Sequence, residues 1–180
     1  MPSQRLIELF DTQVVVPTLA VLAGAEPRMN SLSARQLLVG TAVAESDLQH
    51  ALQVPNGPAR SRFQIEPGTV KLLNSWLGER GRESLAQAIV SLIPVELLPD
   101  GDPTMDGMAD HLAFNDWLAC GLARVLYWSW PDSLPAPGDW MGHAEAWKRM
   151  YNGPGKGTPG KFMERNRDTI AYFERLARVA

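Results

Sequence analysis

ARQLLVGTAVAES, residues 34–46, is the stretch whose reading decides the fold. Ser31 or Ser33 can supply its N-cap, because a serine oxygen there accepts from a first-turn N–H that has no partner within the helix. The helix then runs to about Ser46. Its residues are almost all small or apolar, so burial on most faces is expected. Glu45 at its end shares a helical face with Leu38, Thr41 and Ala42, a face that points inward or to the edge of a cleft. A carboxylate so placed is partly desolvated, which raises its pKa and retains a proton near neutrality. The alternative is a solvated carboxylate at a frayed helix end.

Working outward, residues 4–12 and 17–23 read as apolar helices, with Pro17 in a first turn. Residues 47–66 break the helical pattern. LQHALQV and RSRFQIE flank the turn-forming PNGPA (55–59), which predicts a small β-hairpin or irregular lobe. Pro67 opens another helix, and short helices are expected at 82–92 and 94–98. The Asp-, Pro- and Gly-dense stretch 99–107 reads as a loop. FNDWLACGLARVLYWSW (114–130) is hydrophobic nearly all round, with Ala119, Cys120, Gly121 and Ala123 small enough for close packing, and so reads as a central core helix. A helix at about 139–150, the YNGPGKGTPG loop, and a last helix at 160–178 with Asn166, Ile170, Phe173 and Ala177 on one face complete the chain. The expected fold is mainly α, with one small β-hairpin region after the helix that carries Glu45, in a single domain over residues 1–180.

Composition narrows the function classes. The chain has 180 residues, 45% hydrophobic and 21% charged, with a net charge of −3. The balance is that of a globular domain, and the charge predicts no nucleic-acid partner. Cys120 stands alone in an apolar stretch, so no internal disulfide is available and the thiol reads as structural. His50, His111 and His143 are scattered without metal-ligand spacing, so neither a metal nor another cofactor is expected. The N-terminus carries a lone Arg5, then Glu8 and Asp11, and Pro17 interrupts Val14–Leu22. No signal peptide, membrane-spanning segment or membrane insertion is expected. GPGKGTPG (153–160) is no phosphate-binding loop, because Gly157 separates Lys156 from Thr158. Gly142-His143-Ala144-Glu145 lacks the paired cysteines of a zinc deaminase. The tryptophans fall mostly at helix positions and read as core.

Four segments, in order, carry a resemblance. GTAVAESDL resembles the Glu-Ser helix end of the lysozyme-like lytic transglycosylases. In NGPARSRFQIEPGTV, the residues Gly57, Ala59, Phe63, Gln64, Pro67 and Thr69 are similar to that family's second motif. NDWLACGLARVLYW resembles its central helix, and WKRMYNGPGKGT its late Tyr-Asn-x-Gly segment, which returns to the cleft beside the acid. The whole pattern also resembles short lysozyme-like proteins of tailed bacteriophages.

The resemblance implies a lysozyme-like fold that cleaves the MurNAc-GlcNAc bond of peptidoglycan glycan strands. Glu45 would be the general acid and then the general base, and a 1,6-anhydro sugar the product. Ser46 would position substrate or acid. Gln64 would hydrogen-bond the glycan, Phe63 would form apolar wall, and Tyr151 would orient Glu45 through its hydroxyl. For each of Ser46, Phe63, Gln64 and Tyr151 a plain structural role is the alternative. Ser61-Arg62 departs from the family's Gly-Leu, and Arg62 could meet a substrate carboxylate or only solvent. Glu66 could activate water, as could Asp47, giving a hydrolytic lysozyme, or Glu66 could simply favour the helix start at Pro67. A binding or structural module without turnover is a further alternative. The expected setting is synthesis in a host cytoplasm and action in the periplasm or wall, either as a lysis protein or in a virion beside other phage proteins.

Overall fold

A computed structural model describes residues 1–53, 57–94 and 111–179. The chain begins with α1 (Gln4–Phe10), a π-helical turn (Asp11–Val15) and α2 (Val16–Ala25), which run on as one rod. Pro17 does not break it. The π turn passes Val16 N–H back to Asp11 O, and this wider turn leaves room for the pyrrolidine ring in the first turn of α2. The expectation that no segment is long enough to cross a bilayer therefore needs correction. Gln4–Ala25 is a continuous 22-residue helix of mean hydropathy 1.6, sufficient by length and composition alone. In this fold Ile7, Phe10, Val15, Leu19 and Leu22 of the rod pack into the core.

Next comes α3 (Leu32–Ser46), whose residues are all buried except Leu32, Arg35 and Glu45. Ser31 is its cap, accepting from Ala34 N–H at 3.1 Å, while Ser33 donates to Pro135 O at 2.6 Å. Among the described residues the remaining α-helices are α4 (Pro67–Leu77), α5 (Glu83–Val90), α6 (Asp116–Trp128), α7 (Trp140–Ala146), α8 (Pro159–Arg165) and α9 (Arg167–Val179). A π turn, Trp147–Asn152, extends α7. Asn115 caps α6 through Leu118 N–H at 3.0 Å and also donates to Leu92 O at 2.9 Å. Cys120 is fully buried in α6, and burial pushes its thiol far above the ordinary range.

The sequence reading differs from the structure in two other places. The β-hairpin expected over 47–66 does not form. Among the described residues that region holds two isolated antiparallel bridges, Leu52 with Arg60 and Arg60 with Ile65, and no strand. Asp47, Leu48, Ser61 and Gln64 all have positive φ, so the backbone bends too often to support a ladder. The last helix is two helices broken at Asn166, and its buried side is Thr169, Tyr172 and Phe173, with Ala177 exposed. The elements expected at 94–98 and 99–107, and the tip of the PNGPA turn, fall largely outside the described residues.

Two contacts hold α3 in place. Asp11, fully buried, accepts from Arg35 Nε at 2.7 Å and Nη2 at 2.5 Å, and from Tyr172 Oη at 2.7 Å. These bonds join the N-terminal rod, α3 and α9 around a single carboxylate, and supply the pairing a buried charge requires. At Gly40 the backbone of α3 approaches α8. Asn166 Nδ2 donates to Gly40 O at 3.0 Å, and an added Cβ would stand 2.7 Å from Phe162 Cζ. That ring is fully buried and packs on Trp147 at 5.3 Å between centroids, so it has little room to yield. Gly40→Ala is expected to lower stability by about 1–3 kcal/mol through overpacking. Urea unfolding should show a lower midpoint at an unchanged slope; an unaltered midpoint would refute the close approach.

Candidate active site

The end of α3 is where the helix leaves the core. Asp47 takes a left-handed φ of 52° and Leu48 one of 58°, turning the chain sharply away. Glu45, two residues before Asp47, is neither in the core nor free in solvent. Its Oε1 accepts from Trp147 Nε1 at 2.9 Å. No other hydrogen bond to this carboxyl occurs among the described residues, so Oε2 is available to a ligand. Burial raises the pKa of Glu45; the Trp147 bond and the Arg165 guanidinium oppose that rise without cancelling it.

Two grooves meet at this carboxyl. One, of about 760 Å³, is lined by Glu45, Gln64, Glu66, Tyr151 and Asn152, with His50 and Thr69 nearby. The other, of about 570 Å³, is lined by Glu45, Asp47, Trp147, Asn152, Lys161 and Arg165. Glu45, Asn152 and Arg165 belong to both. The α3 end, the 59–66 turn, the π turn after α7 and α8 therefore converge on one carboxyl.

The other residues singled out in the sequence are placed unequally. Gln64 lines the larger groove. Its Nε2 donates to Ser61 O at 2.8 Å and His50 O at 3.2 Å, which leaves Oε1 as an acceptor. Tyr151 also lines this groove, but its hydroxyl donates to Phe63 O at 2.7 Å and does not bond Glu45. The orienting role expected of Tyr151 is performed by Trp147. Tyr151 stacks on Tyr127, with centroids 5.5 Å apart, and burial together with the nearby Glu45 charge pushes its pKa well up. Phe63 is fully buried against Phe10 and is not a wall of the cleft. Ser46 is also buried. Its Oγ lies 3.0 Å from Ala42 O and 2.8 Å from Arg62 O, so it ties the 61–65 turn to α3 and does not face substrate.

The departure at Ser61-Arg62 has a structural account. Ser61 has a φ of 68°, a conformation glycine adopts freely, and is fully buried, so its side chain does not enter the groove. Arg62 is half-buried and lines neither groove. It pairs with Asp116 at the start of α6 and donates from Nε to Leu48 O at 3.0 Å. Glu66 precedes α4 as its N-cap residue but makes no side-chain capping bond, and it is exposed on the groove.

Compared with family models, with curated proteins and with solved structures, the chain gives no significant match. The site therefore rests on its own geometry.

Trp147, Asn152, Lys161 and Arg165 are among the groove residues to which sequence reading gave no site role. Trp147 was the most accessible of them to inference: a buried indole N–H needs an acceptor, and the segment WKRMYN already pointed towards the acid. Arg165 gave no such signal, since its place depends on the break at Asn166.

Two outcomes follow from this geometry. In the folded state the pKa of Glu45 lies above its unfolded value. Its ionisation therefore opposes folding: the stability it leaves intact below the unfolded pKa is lost as pH rises through the folded one. Glu45→Gln should melt higher than the parent at about pH 8, and the two curves should converge at about pH 4; an equal Tm at both would show Glu45 to be solvated. Arg62→Met leaves Asp116 without its cation. A loss of about 1–3 kcal/mol is expected by denaturant unfolding, and no loss would remove the structural account of Arg62.

Proposed function

We propose that this chain cleaves peptidoglycan glycan strands at the MurNAc-GlcNAc bond as a lytic transglycosylase, with Glu45 as general acid and then general base. The observation that carries the reading is a desolvated carboxyl of raised pKa, held by one indole N–H, at the meeting point of two open grooves. Such a group keeps its proton to a higher pH than a solvated carboxylate does, and can give it to the glycosidic oxygen as the bond breaks. The anomeric carbon gains oxocarbenium character, which the substrate's own N-acetyl group relieves. Glu45, now a carboxylate, takes the proton of the muramic 6-hydroxyl as that oxygen bonds the anomeric carbon. One C–O bond is exchanged for another, and water is not consumed. In this scheme Gln64 Oε1 accepts from a sugar hydroxyl, and Trp147 keeps the carboxyl aimed at the reacting oxygen. Tyr151 and Ser46 are positioning residues that hold the 61–65 turn. The lysozyme-like kinship, the phage setting and action on the wall from a virion or during lysis belong to this proposal.

One observation favours a second reading. Glu66 is exposed on the groove it shares with Glu45 and spends no hydrogen bond on the helix it precedes. A second carboxylate could activate water and give hydrolysis.

Purified protein incubated with peptidoglycan, followed by mass spectrometry of the soluble sugars, decides between them. Anhydro-muropeptides from the parent are expected, with a loss of at least about a hundredfold in Glu45→Gln. Reducing-end products that vanish in Glu66→Gln would establish the hydrolytic reading. Folded protein that releases nothing from several wall types would leave a binding module.

A further inference from the structure

A further cavity, of about 410 Å³, lies apart from Glu45, and none of its lining residues lines either groove at that carboxyl. Three charged residues line it: Arg28, Arg124 and Asp132. Two of them have partners of opposite charge. Arg28 donates to Glu26, Nε to Oε1 at 2.9 Å and Nη2 to Oε2 at 3.0 Å, and Asp132 pairs with Arg149 at 3.1 Å. Arg124 is only 2% exposed, yet it forms no ion pair among the described residues. Its Nε donates to Met29 O at 3.0 Å and its Nη2 to Arg28 O at 3.5 Å. Nη1 is buried and has no hydrogen-bond partner among the described residues. Burial lowers the Arg124 pKa to about 10, which leaves the guanidinium charged near neutrality. The two pairs cancel, so the wall keeps one whole positive charge where charge is costly. The Trp128 ring, with its centroid 5.2 Å from Arg124 Cζ, offsets part of that cost but supplies no acceptor. Two backbone carbonyls need two donors, not a cation, so tying Met29 to α6 does not account for the charge.

The N-terminus of the 15-residue α3 opens on the same cavity through Ser31 and Ser33. Ser31 Oγ serves Ala34 N–H, but the N–H groups of Leu32 and Ser33 have no acceptor within the helix. They add partial positive charge to that of Arg124. We infer that this cavity binds a small carboxylate, whose oxygens take Arg124 Nη1 and the free N–H groups that open α3, and whose apolar remainder packs on Trp130. One unpaired cation, in a wall that also carries Asp132, suits a monoanion and disfavours a phosphate dianion. The Trp128 ring is already faced by the guanidiniums of Arg28 and Arg124. Trp130, 38% exposed on the same cavity, is the aromatic surface left for a ligand. The site does not depend on what Glu45 does.

Benzoate is a simple probe with both parts, a carboxylate and a flat apolar ring. Benzamide is its neutral counterpart, and inorganic phosphate tests the bare anion. Calorimetric titration of the full chain with each, together with the rise in Tm, measures the site. Benzoate is expected to bind, with benzamide and phosphate each weaker by about tenfold or more. Arg124→Met should weaken benzoate by about tenfold or more. Trp130→Ala should weaken it by about threefold or more while leaving the Tm of the ligand-free protein unchanged. Should Arg124→Met fail to fold, the benzoate-benzamide comparison in the parent and the exposed Trp130 still decide the question. No heat and no rise in Tm with benzoate at about 10 mM would overturn the site. Benzamide binding as tightly as benzoate would show an apolar cavity in which the Arg124 charge has no part, and phosphate binding as tightly would overturn the monoanion. An unaltered benzoate affinity in either folded variant would place the carboxylate elsewhere.

Discussion

The burial of α3 on nearly every side is the constraint from which the rest follows. A helix of small and apolar residues has no face to offer water, so the rod α1–α2, α6, α7, α8 and α9 are drawn around it. Gly40 lets α8 come close, and the Asp11–Arg35–Tyr172 cluster closes the opposite side. A helix so enclosed has only its end at which to present chemistry. Glu45 is at that end, and its desolvation is a by-product of the packing that stabilises the fold.

The site is then completed by segments that are not regular structure. The two left-handed residues after Ser46 turn the chain out, and Ser46 holds the returning 61–65 turn by its carbonyl. Tyr151 holds the same turn from the other side through Phe63 O. Gln64 is thereby set on the groove wall, at a positive φ that would be costly in a free chain and is maintained here by bonds from both neighbours. The residues that fix the wall are buried, and those that face the groove are fixed by them. This division explains why Ser46 and Phe63, although motif positions, touch no ligand space.

Electrostatics adds direction to the groove. Trp147 and Arg165 both oppose the rise in the Glu45 pKa, which limits how far desolvation can push it, and a proton donor that never ionises would be no general base in the second half of a reaction. Arg165 also belongs to both grooves, so the same cation that tempers the acid lines each of them.

Local composition alone was enough to determine α3, its serine cap region, the apolar α6 with its buried Cys120, and Glu45 at a partly desolvated helix end, because those features depend on spacing along one element. The turn signals at 47–66 were visible too, but whether they made a ladder was not, since that depends on φ values set by Ser46, Tyr151 and Arg62 from distant parts of the chain. Pro17 read as a break and proved compatible with a continuous rod, because a π turn absorbed it. The partner of Glu45, the burial of Phe63, the pairing of Arg62 with Asp116 and the meeting of two grooves at Glu45 were decided only by the tertiary structure. Each depends on side chains separated by many residues meeting in space, and no periodicity along the chain encodes which of them meet.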